Sequence, residues 1–176
     1  MTGRPLRLAA GAMGTRFELV LLAGRGDEVH GLVPHAVSAI QGVAEQHVAD
    51  IRNPEQVAEA VLAARPERVV HLAGIAFVPN RDMEAMYGVN LLGTRHLLEA
   101  LCQLAERPER VVLASSANVY GNAAAEAIGE DSPTVPINDY AVSKLAMEFV
   151  CGLYASRLSM TICRPFNYTG VGQSEA

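Results

Sequence analysis

Arg68-Val69-Val70-His71-Leu72-Ala73-Gly74 is the stretch on which the fold turns. It is short, β-branched and apolar at consecutive positions, so both faces must be covered, as in a buried parallel strand. It closes on a glycine. Three other runs share the pattern: Glu28-Val29-His30-Gly31-Leu32-Val33 upstream, and Arg110-Val111-Val112-Leu113-Ala114-Ser115 and Ser159-Met160-Thr161-Ile162-Cys163 downstream. Between them lie Ala/Leu/Glu-rich stretches with helical spacing at 53–65, 83–107 and 139–157. Asn53-Pro54 supplies an N-cap followed by proline at the first helical position. In 83–107, Val89, Leu92, His96, Leu97 and Leu101 recur at helical intervals. Strand–helix alternation of this kind predicts right-handed βαβ units. The expected fold is therefore α/β, a doubly wound parallel sheet of Rossmann type.

A chain of 176 residues, half of them hydrophobic and 19% charged, is expected to form one packed domain. Fourteen Lys and Arg against 19 Asp and Glu leave a net charge of −5 without a basic cluster, which argues against nucleic acid as a partner. Cys102, Cys151 and Cys163 are odd in number and lack metal-type spacing, so reduced thiols in a cytoplasmic protein, with no metal site, are expected. Leu19-Val20-Leu21-Leu22-Ala23 is far shorter than the roughly 20 apolar residues of a membrane helix. A secretory signal would have to cross Arg16 and Glu18.

Open α/β sheets bind ligands at the carboxyl ends of their strands, and the polar motifs fall there. Ala10-Gly11-Ala12-Met13-Gly14-Thr15-Arg16-Phe17 stands where a first strand, at 6–10, would turn into a first helix. Gly11 and Gly14 would let backbone N–H groups approach a pyrophosphate. Phe17 occupies the third glycine's place and should push the helix outward or shift its register; the competing reading is an ordinary N-terminal turn. Asp50 and Ile51 follow a candidate third strand. The carboxylate would suit an adenine amino group and Ile51 the ring, against the alternative of a solvated loop aspartate. Leu72-Ala73-Gly74 ends a buried strand where backbone must pass close to something flat. After the second strand, Val33-Pro34-His35 offers neither an acid nor an arginine, so NAD and NADP remain equally open.

The richest cluster is Tyr140-Ala141-Val142-Ser143-Lys144. Four residues apart on a helix, the phenol and the ammonium share one face. The cation lowers the phenol pKa from about 10 and fits Tyr140 for general acid/base work. Ala114-Ser115-Ser116-Ala117-Asn118-Val119-Tyr120-Gly121 brings a hydroxyl, that of Ser116, to another strand end, and Cys163-Arg164-Pro165-Phe166-Asn167 opens at a third.

With Asn90-Leu91-Leu92-Gly93-Thr94 added, these motifs stand in the order seen in the NAD-dependent epimerase/dehydratase family, the extended branch of the short-chain dehydrogenases/reductases, which the chain resembles over 27–173. The resemblance implies Ser116, Tyr140 and Lys144 as a catalytic triad. It implies Gly11, Gly14, Asp50, Ile51, Leu72, Ala73, Gly74 and Asn90 around an NAD or NADP dinucleotide, with Pro165 and Phe166 on its nicotinamide side. Asn90 alone would read as an exposed mid-helix asparagine, but Val89, Leu91 and Leu92 argue for a buried helix and a site-supporting role. Dehydratases of this family carry acids directly after the catalytic serine or threonine. Here Ala117 and Asn118 stand there, which disfavours a 4,6-dehydratase. The segments Phe77-Val78-Pro79 and 164–173 look most like reductases of nucleotide-linked 4-keto-6-deoxy sugars, with Phe77, Val78, Ser116, Asn118 and Asn167 on the substrate side. A UDP-hexose 4-epimerase is the alternative. The family continues beyond this point into a substrate-binding region that is largely missing here, so residues 1–176 are expected to be a truncated dinucleotide-binding domain, and an inactive cofactor-binding or interaction module stays open. The resemblance also implies a homodimer through the 83–107 and 139–157 helices.

Overall fold

A computed structural model describes residues 16–17, 20–23, 28–34, 42–76, 82–122 and 127–166. Strands β2 (Val20–Ala23), β3 (Val29–Val33), β4 (Glu45–Val48), β5 (Arg68–His71), β7 (Arg110–Ala114) and β8 (Met160–Cys163) form one sheet in the order β4-β3-β2-β5-β7-β8. A separate pair joins β1 (Arg16–Phe17) to β6 (Gly74–Ile75). Among the described residues the expected alternation holds from β4 onward. β3 runs parallel to β4, and β5, β7 and β8 run parallel to one another, so His71, Ala114 and Cys163 finish at one edge.

The centre of the sheet departs from the expected parallel order. β2 is antiparallel to both neighbours, with Val20 opposite Leu32 and His71, and Ala23 opposite Val29 and Arg68. Connection length explains this. Only residues 24–28 separate β2 from β3, whereas parallel neighbours need a crossover of about a dozen residues or more. Val20-Leu21-Leu22-Ala23 is also apolar throughout, the composition a central strand requires. The first strand expected at 6–10 lies outside the described residues. Gly11 and Gly14 of the glycine turn lie outside the described residues too; Arg16–Phe17, at its end, is a strand antiparallel to Gly74–Ile75.

Helix α1 (Pro54–Ala64) starts where Asn53 accepts a bond from the Gln56 N–H and ends at Arg65 with φ 42°, ahead of Pro66. Val57, Ala60, Val61 and Ala64 form its buried face. The helix expected over 83–107 is three consecutive pieces: α2 (Met83–Tyr87), a π-helical turn (Gly88–Gly93) and α3 (Thr94–Gln103). Leu104 is already extended, and Pro108 bars a return to helix. Helix α4 (Asp139–Gly152), capped by Asn138, stops short of the expected 157 and continues as turns to Leu158. Leu97, Leu98, Leu101, Val111, Leu113 and Met147 are fully buried in the core that joins α3 and α4 to β7.

Candidate functional site

The carboxyl ends of β5 and β7 face the inner side of α4 across a cavity of about 120 Å³, lined by Leu72, Gly74, Ala76, Ala114, Ser115, Tyr140, Lys144 and Pro165. Lys144 is 5% exposed, and its Nζ donates to the Ala114 carbonyl at 2.9 Å. Burial alone lowers its pKa from 10.5 to about 8. Gly74 sits directly against this ammonium. A Cβ there would lie 2.9 Å from Lys144 Nζ and 3.2 Å from Asn90 Oδ1, so only glycine leaves the cation in place.

The π-turn turns Asn90 inward, where it is completely buried. Its Oδ1 accepts from the Ile75 N–H at 2.7 Å, and its Nδ2 donates to the Ile75 carbonyl at 3.0 Å and to Ser143 Oγ at 2.9 Å. Ser143 Oγ in turn donates to the Tyr140 carbonyl at 2.7 Å. One amide thus ties the segment beside Gly74 to the turn of α4 that carries Tyr140 and Lys144. Behind it, Thr94 Oγ1 donates to the Asn90 carbonyl and lies 2.8 Å from His71 Nε2. The hydroxyl hydrogen is already used, so Nε2 carries the hydrogen and donates to Thr94. That leaves His71 Nδ1 as a buried acceptor without a partner. Burial first, and the Lys144 charge second, hold the His71 pKa near 3.

Ser116 is 8% exposed and caps the 3₁₀ turn Ala117–Tyr120, accepting from the Asn118 N–H at 3.2 Å. Its hydroxyl hydrogen stays available for a second partner. Leu72, Gly74, Tyr140, Lys144 and Pro165 therefore meet at the cavity, whereas the serine in its wall is Ser115 and the expected Ser116 only follows it in the chain. Asn90 supports the cavity from beneath, and Ala73 is core. Phe166 is 55% exposed and stacks on Tyr120 with centroids 6.5 Å apart. Asp50 and Ile51 are not brought to the cavity. Arg52 donates from Nε and Nη2 to the Asp50 carboxylate, at 2.6 Å for the closest contact, and Ile51 is buried where a Cβ on Gly93 would meet it at 2.7 Å. Gly11, Gly14, Phe77, Val78 and Asn167 lie outside the described residues. Asn118 is exposed. Sequence reasoning missed Ala76, Ala114 and Ser115, because small or backbone-contributing residues carry no chemical signature of their own. It also missed His71 as the neighbour of Lys144.

One further cluster, His30, Glu45 and His47, has ligand-type atoms close together among the described residues. Its ring nitrogens are 3.0 Å apart, with centroids at 5.3 Å and planes within 6°. The nitrogens lie between the rings and face each other head-on, the geometry of an N–H···N hydrogen bond, which leaves no room for a cation between them.

The model of the GDP-mannose 4,6 dehydratase family matches residues 9–176. The chain belongs to the NAD-dependent epimerase/dehydratase family. Within it, the chain is 33% identical to a GDP-6-deoxy-D-talose 4-dehydrogenase of Aggregatibacter actinomycetemcomitans, over 76% of this chain and 45% of that one. The structure of RMD from Pseudomonas aeruginosa, complexed with NADPH, is 35% identical, with a TM-score of 0.66 over 78% of this chain and 48% of that one. The UDP-glucose 4-epimerase of Thermus thermophilus, solved with NAD, is 34% identical, with a TM-score of 0.69 over 80% and 47%. The chain thus spans about half the length of these family members. No helix among the described residues is long and apolar enough to cross a membrane.

Proposed function

We propose that residues 1–176 are the dinucleotide-binding half of a cytoplasmic NAD(P)-dependent oxidoreductase that reduces a nucleotide-linked 4-keto-6-deoxy-hexose, with a GDP sugar favoured by the talose dehydrogenase relative. The observation that carries this reading is the Gly74 cradle: a side-chain-free backbone at a strand end, with a buried lysine against it and a tyrosine one helical turn before that lysine. A dinucleotide fits here. Gly74 sends no side chain into the cavity, and Tyr140 and Lys144 line it. When bound, the dinucleotide supplies the hydride.

The chain's own groups do the rest. Lys144, fixed by Ala114, presents a cation for a ribose hydroxyl, one helical turn from the Tyr140 phenol. Tyr140 holds the proton that passes to the carbonyl oxygen, and Ser116 polarises that oxygen with its free O–H. The apolar walls from Leu72, Ala76 and Pro165 exclude water from the reacting face. Ala117 and Asn118 offer no carboxylate, so water elimination lacks its base, and the dehydratase activity that names the family model is not proposed. The likeness to UDP-glucose 4-epimerases favours a second reading, epimerisation at the same carbon with the hydride returned to the opposite face.

A homodimer through the 83–107 and 139–157 segments belongs to the proposal. Phe149 and Leu153 on α4 and its following turn are 73% and 71% exposed, and Leu92 on the π-turn is 49% exposed. Apolar groups of that size call for a partner face.

The test is turnover by the purified chain. GDP-linked 4-keto-6-deoxy-mannose is mixed with reduced cofactor, and loss of nicotinamide absorbance is followed beside a UDP-glucose epimerisation assay. Cofactor oxidation with the keto sugar supports the reductase reading. Epimerisation without net oxidation replaces it with the second reading. Cofactor binding without either reaction leaves a binding module.

A further inference from the structure

The most heavily bonded polar cluster outside the Asn90 brace is an ion pair that the mechanism above does not use. Glu148, whose side chain is 9% exposed, and Arg164, at 24%, meet side-on: Nε donates to Oε1 at 2.9 Å and Nη2 to Oε2 at 2.6 Å. Arg164 Nη1 also donates to the Tyr120 hydroxyl at 2.9 Å and to the Glu130 carbonyl at 3.1 Å, and its guanidinium lies 5.1 Å from the Tyr120 ring centroid. Ser115 Oγ donates to Glu148 Oε1. The pair therefore joins α4 through Glu148 and the chain leaving β8 through Arg164 to Ser115 at the end of β7, Tyr120 in the 3₁₀ turn and the loop at Glu130.

Glu148 follows Lys144 by four residues, so both side chains leave α4 on one face, one turn apart. They dock on adjacent residues of the same strand end, Lys144 on the Ala114 carbonyl and Glu148 on the Ser115 hydroxyl. Ser116 follows immediately. We propose that the Glu148–Arg164 pair is a positioning clamp for this site: it holds α4 in register on the end of β7, so that Lys144 and Ser116 keep one separation, and its paired charges cancel beside the Lys144 cation. The proposal rests on the reading of Lys144 and Ser116 given under Proposed function.

Bidentate pairing suits this task, because a fork meeting a carboxylate fixes direction as well as distance. Charge cancellation has a sign that a purely structural role lacks. Of the titratable groups around Lys144, His71 from β5 couples to its charge directly, while Tyr140 precedes it and Glu148 follows it by four residues on the same helix, with Arg164 paired to Glu148; the π-turn contributes only the uncharged Asn90. Removing the carboxylate leaves an uncompensated guanidinium nearby, which eases proton loss from Lys144. Removing the guanidinium leaves an uncompensated carboxylate, which opposes it.

The experiment uses the purified full chain and a small amine reagent, acetic anhydride, with the extent of Lys144 acetylation read by peptide mass spectrometry across pH. Glu148→Gln, which keeps an acceptor for Ser115, is expected to raise the Lys144 labelling rate near neutral pH roughly threefold, and Arg164→Gln to lower it by a similar factor, the size expected for one charge through partly screened surroundings. Loosening of the fold alone would raise labelling in both. Equal rates, or shifts in the same direction, overturn the proposal, and an unchanged or lowered rate in Glu148→Gln overturns it even if Arg164→Gln does not fold. Labelling needs neither cofactor nor sugar, so a wild-type chain without turnover refutes the proposed function and leaves the clamp to be judged by its labelling. Where the wild type turns over, Glu148→Gln is expected to lower kcat about tenfold with cofactor Kd within twofold. A kcat unchanged in that variant counts against the clamp alone.

Discussion

Replacing His71 by leucine should make the protein resist acid better than the wild type. His71 is buried, donates from Nε2 to Thr94 and leaves Nδ1 without a partner. Its pKa falls from 6.5 to about 3, chiefly through burial and then through Lys144. Below pH 6.5 the unfolded chain takes up a proton at this ring while the folded chain does not, so the unfolded state binds more protons and stability falls as pH falls, down to about pH 3. At pH 5 the ring lies about 1.5 units below its unfolded pKa, and one unit is worth 1.36 kcal/mol, so the wild type should lose about 2 kcal/mol between pH 7 and pH 5 from this residue alone. Leucine has no such term. At pH 7 the substitution removes one neutral hydrogen bond and one orphaned acceptor, and Thr94 keeps its bond to the Asn90 carbonyl, so the two proteins should agree within about 1 kcal/mol. Urea unfolding of both at pH 7, 6 and 5 measures the difference directly, since every other titrating group cancels in the comparison. Parallel loss of stability in the two proteins would refute the reasoning.

Lys144→Met tests the other buried base. With a folded pKa near 8 against 10.5 unfolded, the wild type sheds its proton first, so its stability relative to the variant should rise by up to about 3 kcal/mol as pH climbs from 8 towards 10.5, read by denaturant titration. Gly121→Ala should destabilise by about 3 kcal/mol or more in thermal or urea melts, because φ is +62° and the new Cβ would fall 2.0 Å from the Val135 carbonyl oxygen. Phe149→Glu should convert a dimer to a monomer in sedimentation or light scattering while leaving the far-UV spectrum intact; a monomeric wild type would dispose of the dimer.

How much was legible follows from the range of each signal. The β-branched runs around Val69, Val111 and Thr161, the Asn53-Pro54 cap and the Tyr140–Lys144 spacing are local facts, and strand, helix start and shared helix face follow from local sterics and hydrogen bonding. The parallel order of β5, β7 and β8 followed from the helices between them, because a long connection permits parallel pairing. The family, too, stood in the order of the motifs. The direction of β2 relative to β3 is also legible, since residues 24–28 are too few for a crossover.

Tertiary structure alone decided the remainder. That 83–107 breaks into α, π and α pieces depends on Asn90 finding Ile75 and Ser143, partners 15 and 53 residues away. That Ile51 joins the core while Gly74 fronts a lysine depends on which surfaces α3 and α4 bring to them. His71 and Glu148 look like ordinary polar residues in the chain, and nothing local marks Lys144 as buried or Arg164 as paired. Only folding removes water from them, and once water is gone a charge must be paired, neutralised or put to use. Burial and partnership are properties of the assembled fold, and no local run of residues encodes them.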